Sequence, residues 1–157
     1  ASLLFQMASR DWLLDLAKST LQDGDCEAAC KKKVEEHRKK GASASELLPF
    51  QEIDASENRL GWRGCTAIVD IALQCKDLRV VKLFKNELTD EAAPAICRLV
   101  KDCRQLEQLH LTYNRFTAKA ALEIISAANE GRGASRSEKG GITLWLRLEH
   151  NVVANAE

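Results

Sequence analysis

The stretch LRVVKLFKNEL, residues 78–88, decides the fold because its pattern returns three more times along the chain. The other copies are FQEIDASENRL from Phe50, LEQLHLTYNRF from Leu106 and TLWLRLEHNVV from Thr143. All four follow the pattern L-x-x-L-x-L-x-x-N-x-L with substitutions. Their asparagines are 28, 28 and 37 residues apart, so the chain repeats one structural unit and inserts nine residues before the last copy. These asparagines are Asn58, Asn86, Asn114 and Asn151.

Each copy predicts a short strand followed by a turn. Residues 50–55, 78–83, 106–111 and 143–148 carry alternating apolar residues, which indicates four strands that each bury one face. The asparagine after each strand has an amide that can bond backbone groups of a turn that has left the sheet. We therefore expect the four asparagines to form a structural ladder from unit to unit.

A helix is predicted after each of the first three turns, because apolar residues recur there at helical spacing. The predicted helices cover residues 63–76, 90–103 and 117–129. Their apolar faces are, in chain order, Cys65, Ile68, Val69, Ala72 and Leu73, then Ala93, Ile96, Cys97 and Val100, then Ala121, Ile124, Ile125 and Ala128.

The repeated stretches resemble the leucine-rich repeat family, and their 28-residue period is similar to its ribonuclease-inhibitor-like subclass. The resemblance covers residues 47–157. Ala55 and Thr143 depart from it, since each stands where the pattern has leucine. The resemblance implies an α/β fold, a short leucine-rich-repeat solenoid with parallel strands on its concave face and helices on its convex face.

Two domains are expected from this division of the chain. Residues 1–46 lack the pattern and predict an N-terminal helical cap, with one helix over 9–22 and a second over 25–40. Ser9 is the expected N-cap of the first helix. Its expected apolar face is Trp12, Leu13, Leu16 and Ala17.

Residues 47–157 predict a leucine-rich repeat domain of about four repeats, whose open N-terminal end the cap would cover. The extra residues fall in EGRGASRSEKGG, 130–141, where glycine and serine indicate a flexible surface insertion. The first residue is not Met, which leaves a processed product, a fragment or an added leader open.

Composition narrows the class of protein. The chain has 23 basic and 23 acidic residues, so its overall charge indicates neither nucleic acid nor membrane as a partner. No apolar run approaches the roughly 20 residues of a membrane span, and we expect no membrane insertion. The six cysteines include no C-x-x-C pair and indicate free thiols in an intracellular reducing compartment, such as the cytosol, the nucleus or an organelle interior.

No group of residues predicts a cofactor, a metal site or catalysis. Cys26, Cys30 and His37 match no zinc-binding spacing. The three histidines have no recognisable nucleophile motif around them, and we expect a protein that is not an enzyme. The thiols Cys75 and Cys103 occupy equivalent positions in the repeat, which favours packing in the core over reactivity.

The strands also predict which side chains face outward, because alternate positions of a strand lie on opposite faces. Phe84 and Trp145 stand out, since large rings on a solvent-facing sheet resemble interface anchors. The alternative for each ring is packing against neighbouring long side chains. The candidate partner-binding residues are Val80, Lys82, Phe84, His110, Tyr113, Trp145, Arg147 and Glu149.

Three functions remain open at this point. The first is a protein-binding or scaffold module, a subunit or adaptor of a larger assembly, which binds through the concave strand face and the open C-terminal end. The second is an RNA-associated module that uses the basic helix 31–40 and the loop 132–139, and salt-dependent RNA binding would distinguish it. The third comes from the resemblance alone, since repeats of this length also build GTPase-activating proteins, and a GTPase turnover assay would test it.

Overall fold

The computed structural model describes residues 10–41, 43, 45–133 and 142–152, in which strands and helices alternate in an α/β fold. A short 3-10 turn, Asp90–Ala92, precedes the third helix. In chain order the elements are β1 Leu13–Asp15, α1 Asp23–Lys39, β2 Glu52–Asp54, α2 Trp62–Ala72, β3 Val80–Lys82, α3 Ala93–Asp102, β4 Gln108–His110, α4 Ala118–Gly133 and β5 Trp145–Arg147.

The five strands form one parallel sheet in the order of the chain. Neighbouring strands keep one register, so the central residue of each strand lies beside the central residue of the next. The central side chains of β1 to β4 are buried, and that of β5 is only half-buried. These residues are Leu14, Ile53, Val81, Leu109 and Leu146.

One core joins the strands to the helices, which pack beside one another in chain order. In α2, Cys65, Ile68, Val69 and Ala72 are buried as expected, whereas Leu73, which follows the last residue of the helix, is half-buried. In α3, Ala93, Ile96 and Val100 are buried as expected, whereas Cys97 is half-buried. None of the described helices is long and apolar enough to cross a bilayer.

The prediction of a helix over residues 9–22 is wrong, because Leu13–Asp15 is strand β1 and pairs with β2. Ser9 lies outside the described residues. The stretch carries the strand pattern of the later repeats, with Leu14 and Leu16 at apolar positions and Ser19 in place of asparagine. Its short apolar run also fits a helical period, and pairing with β2 decides between the two.

Helix α1, predicted over 25–40, begins at Asp23 and is the helix that follows β1. Its first turn is held by a capping box in which the Gln22 amide N–H donates to Asp25 at 3.0 Å. The Oδ1 atom of Asp23 accepts hydrogen bonds from the amides of Gly61 (2.7 Å) and Gly64 (2.9 Å). This carboxylate therefore fixes the start of α2 against α1.

The expected insertion at 130–141 starts later than predicted, because helix α4 continues to Gly133 and includes residues 130–133. A β carbon at Gly131 would lie 2.7 Å from the Cα atom of Lys101, so glycine permits the close approach of α4 to α3. The guanidinium of Arg132 donates to the carbonyl oxygens of Cys103 and Leu106 at 3.3 and 2.8 Å. Residues 134–141 lie outside the described residues.

The expected apolar face of α4 needs one further correction. Ala121 and Ile124 are buried and Ala128 is half-buried, but Ile125 is 43% exposed. The helix buries Ala120 and Ala127 in addition, so its buried face is rotated away from Ile125.

Candidate protein-binding surface

The turns that follow the strands share one geometry, which Asn114 illustrates. Its side-chain amide donates to the carbonyl oxygens of Leu111 (3.1 Å) and of Leu83 in the preceding unit (2.9 Å). Its Oδ1 accepts the amide N–H of Leu88 at 3.1 Å. Asn58, Asn86 and Asn151 make the equivalent bonds to their own turn and to the preceding one.

The residue before each asparagine adopts a positive φ, a region that is uncommon for residues other than glycine. The φ angles are 55° at Glu57, 52° at Lys85, 54° at Tyr113 and 57° at His150. This shared conformation holds the four side chains in one row along the edge of the sheet.

Ion pairs between equivalent positions join neighbouring units along the rims of the sheet. Arg79 lies 2.7 Å from Glu107, which follows it by 28 residues. Four further pairs are longer and involve largely exposed side chains, so each contributes little to stability. They form two rows that alternate in sign, Lys18–Glu57–Lys85 at 3.9 and 3.8 Å and Arg59–Glu87–Arg115 at 3.7 and 4.0 Å.

The open face of the sheet is the face opposite the buried central residues. Lys82 on β3 lies 2.6 Å from Glu52 on β2, so this lysine pairs with Glu52. The two positions that each strand contributes form two rows across the sheet. One row is Leu13, Glu52, Val80, Gln108 and Trp145, and the other is Asp15, Asp54, Lys82, His110 and Arg147.

Trp145 is the largest side chain that the open face exposes, with 58% of its surface accessible. Its ring centroid is 6.1 Å from that of His110, and the two rings are tilted by 59°. The guanidinium carbon of Arg147 lies 5.7 Å from the same centroid, within cation–π range. These contacts orient Trp145 and leave much of the ring open to solvent.

A second exposed ring lies at the carboxyl end of β4. Tyr113 is 50% exposed and stacks on His150, with ring centroids 4.3 Å apart and planes within 11° of parallel. Phe84, which precedes the turn after β3, is half-buried. Glu149 is exposed and lies 3.5 Å from the guanidinium of Arg147.

His110 lies between the two basic residues of its row. Burial lowers its pKa, and the positive charges of Arg147 and Lys82 lower it further, against the opposing effect of Glu52 and Asp54. Its Nε2 atom lies 3.0 Å from the side-chain oxygen of Gln108. These surroundings favour the neutral form of the imidazole.

On the helix side, a groove of about 840 Å³ lies between α4 and β5. Ile125, Leu144, Leu146 and Leu148 supply its apolar lining. Leu146 and Leu148 are half-buried, whereas the corresponding leucines of the β4 unit, Leu109 and Leu111, are fully buried. The apolar side of β5 is thus the least covered part of the described sheet.

The cysteines are free thiols, and all but Cys97 are buried. Burial raises the pKa of Cys75 and of Cys65 to about 12, so both are protonated at neutral pH. Protonated buried thiols behave as small apolar groups. Among the described residues, no three His, Cys, Asp or Glu side chains are arranged to hold a metal ion.

The structure brings five of the sequence-predicted residues together on the open face of adjacent strands, namely Val80, Lys82, His110, Trp145 and Arg147. Phe84, Tyr113 and Glu149 follow the carboxyl ends of their strands. The sequence reading missed Asp15, because it assigned that stretch to a helix. It also missed the stacking of His150 on Tyr113, although both residues directly precede an asparagine of the repeat.

Comparison of the chain with protein-family models and with curated proteins finds no match. The functional interpretation therefore depends on the geometry of the open face.

Proposed function

We propose that this chain is a leucine-rich-repeat solenoid module that binds a protein partner without catalysing a reaction. The support for the repeat assignment is the recurrence of one strand register, one turn geometry and one set of asparagine bonds from unit to unit. Parallel strands with helices on one side leave the opposite face of a sheet free for association.

The observation that carries the binding function is the exposure of Trp145 and Tyr113 beside charged and polar side chains of the same sheet. Tryptophan and tyrosine are enriched among the residues that dominate the binding energy of protein interfaces, because large rings bury much area. The polar surroundings, His110, Arg147 and Glu149, match the rim that surrounds such anchors.

The partner surface in this proposal extends from the open face to the apolar groove at β5. An end strand with thin apolar cover favours association with another chain. Trp145 lines the groove and also belongs to the open face, so a single partner can contact both surfaces at this residue. In this arrangement the module acts as a subunit or adaptor of a larger assembly.

Quantitative affinity capture with matched variants tests the proposal. Trp145→Ala removes the anchor, and Trp62→Ala removes a comparably exposed tryptophan (48%) from the start of α2. We expect a partner captured by the wild type to be retained by Trp62→Ala and reduced about tenfold by Trp145→Ala, the loss of a hot-spot residue. Unchanged melting temperatures of both variants would show that the fold is intact.

Equal capture by both tryptophan variants would contradict the proposal. So would a turnover of substrate by the purified chain that survives further purification to homogeneity.

A further inference from the structure

The two ends of the open face differ in charge. The β1–β3 end carries three carboxylates, Asp15, Glu52 and Asp54, and one ammonium group, Lys82, which gives a net charge of −2. Lys82 is held by Glu52 at 2.6 Å. Lys82 also lies beside Asp54 in the register and its charge acts on Asp15 as well, so the three carboxylates together share the excess negative charge of this end.

Asp15 and Asp54 are register partners on adjacent strands, so like charges lie side by side. Such pairs destabilise a sheet. Each Oδ1 accepts a backbone N–H of its own turn, from Ala17 at 3.1 Å and from Ser56 at 3.0 Å. Asparagine offers the same acceptor without repulsion, so these hydrogen bonds alone do not account for two charged groups.

The β4–β5 end is close to neutral and rich in rings. The guanidinium of Arg147 pairs with the carboxylate of Glu149 at 3.5 Å, and the Trp145 side chain is 58% exposed. Asp54 on β2 and Asp15 on β1 lie three and four strand spacings from β5, about 14 to 19 Å at roughly 4.8 Å for each spacing. The open face thus presents an acidic end and an apolar end at a defined separation.

We infer that the partner is a basic and apolar protein segment that lies across the strands, with a Lys or Arg against Asp15 and Asp54 and a large apolar side chain on Trp145. This inference rests on the proposed protein-binding function. The separation corresponds to about four to six residues of extended chain or about 10 to 13 residues of helix. A cation between the aspartates is attracted by both carboxylates and also relieves their repulsion. Both effects favour its binding.

The test uses a display library of random 16-residue peptides selected against the whole 157-residue chain. We expect the enriched peptides to combine Lys or Arg with Trp, Phe or Leu at this spacing. Fluorescence anisotropy should show about tenfold weaker binding of these peptides to the Asp15→Asn/Asp54→Asn variant, and about tenfold weaker binding to Trp145→Ala.

The asparagine replacements keep the oxygen acceptors of the two turns and remove only the charges. The control is Glu27→Gln on α1, which removes a carboxylate that pairs with Arg63 at 2.7 Å, and it should leave affinity unchanged. A measurement that needs no variant is the salt dependence of wild-type binding, which should weaken as salt screens the aspartates.

Enriched peptides that are acidic or lack cations, or that bind the double variant as tightly as the wild type, would overturn the inference and leave protein binding intact. Failure to enrich any peptide over an unrelated protein would overturn both. Tighter binding of labelled oligouridine than of any peptide, strengthened further in the double variant, would replace the peptide with RNA.

Discussion

Strands β4 and β5 carry the same residue pattern in the same register, but their surroundings differ. Leu109 of β4 is fully buried, while its register partner Leu146 of β5 is half-buried and the adjacent Trp145 is 58% exposed. β4 has strand neighbours on both sides, and within the described residues β5 has one only, β4. The residue pattern therefore determines the register in which a strand pairs, while the burial of its side chains depends on the strand neighbours that it has.

This difference bears on the stability of the fold and, in the proposed function, on where a partner binds. Interior units bury their leucines and asparagines and so supply stability. The β5 end keeps Leu146, Leu148 and Asn151 at the equivalent positions with less cover, and we propose that its remaining apolar surface serves association.

Replacement of the central leucine by alanine should give the largest difference in stability between β4 and β5. Leu109→Ala removes a fully buried side chain and should lower the free energy of unfolding by about 2–5 kcal/mol. Leu146→Ala removes a half-buried one and should cost about 1 kcal/mol. Urea titration followed by circular dichroism measures both, and equal losses would show that β5 is packed like β4.

The asparagine ladder should show the same contrast with a smaller effect. Asn114→Ala leaves the buried amide of Leu88 without its partner, while the carbonyl of Leu83 keeps its bond from Asn86, and the cost should be about 1–3 kcal/mol.

Asn151→Ala breaks equivalent bonds to Phe116 and Leu111 at a half-buried site, where water can replace them, and should cost about 1 kcal/mol or less. Thermal melts of the two variants under identical conditions provide the check. An unchanged midpoint for Asn114→Ala would contradict a structural role for the ladder.

The smallest effect concerns the electrostatic link from β5 to β4. Arg147 lowers the pKa of His110, so Arg147→Gln should raise that pKa toward 6.5, the ordinary value for histidine. NMR titration of the His110 ring measures the shift. The matched control is Arg98→Gln on α3, where the arginine pairs with Asp70, and it should leave the titration unchanged.

The lowered pKa of His110 also determines how the stability of the fold changes with pH. The unfolded chain binds the His110 proton more tightly, so this contribution to stability is present above pH 6.5 and is lost as the pH falls through the lower folded value. His110→Gln should remove this part of the pH dependence. A profile that is unchanged by the substitution would contradict the assignment.

Much of the sheet could be predicted because repetition supplies its own check. Residues 78–88 identify a strand and a turn, and the same spacing around Asn58 and Asn114 confirms the register. β1 was missed because Ser19 replaces asparagine and because 39 residues separate it from Asn58, so the period is hidden. Its amide nonetheless bonds Asn58 Oδ1 at 3.1 Å, as part of the same ladder.

The surface was harder to predict than the core. Alternation places Trp145 and His110 on the open face, but no pattern reveals that Lys82 pairs with Glu52 or that His150 stacks on Tyr113. These contacts depend on rotamers and on side chains from neighbouring units, which the spacing of residues does not specify. The end of α4 was missed for a similar reason, since Gly131 reads as a loop residue until its contact with Lys101 is known.

Hydrogen exchange of the strand amides tests most directly whether the β5 end is a binding surface. In the isolated chain, amides 145–147 should exchange faster than amides 108–110, because β5 has less cover than β4. When a captured protein partner is added to saturation, exchange at 145–147 should slow while that at 108–110 changes little. Amides 145–147 that are already as protected as β4 in the isolated chain, or that exchange equally fast with the partner bound, would contradict the account.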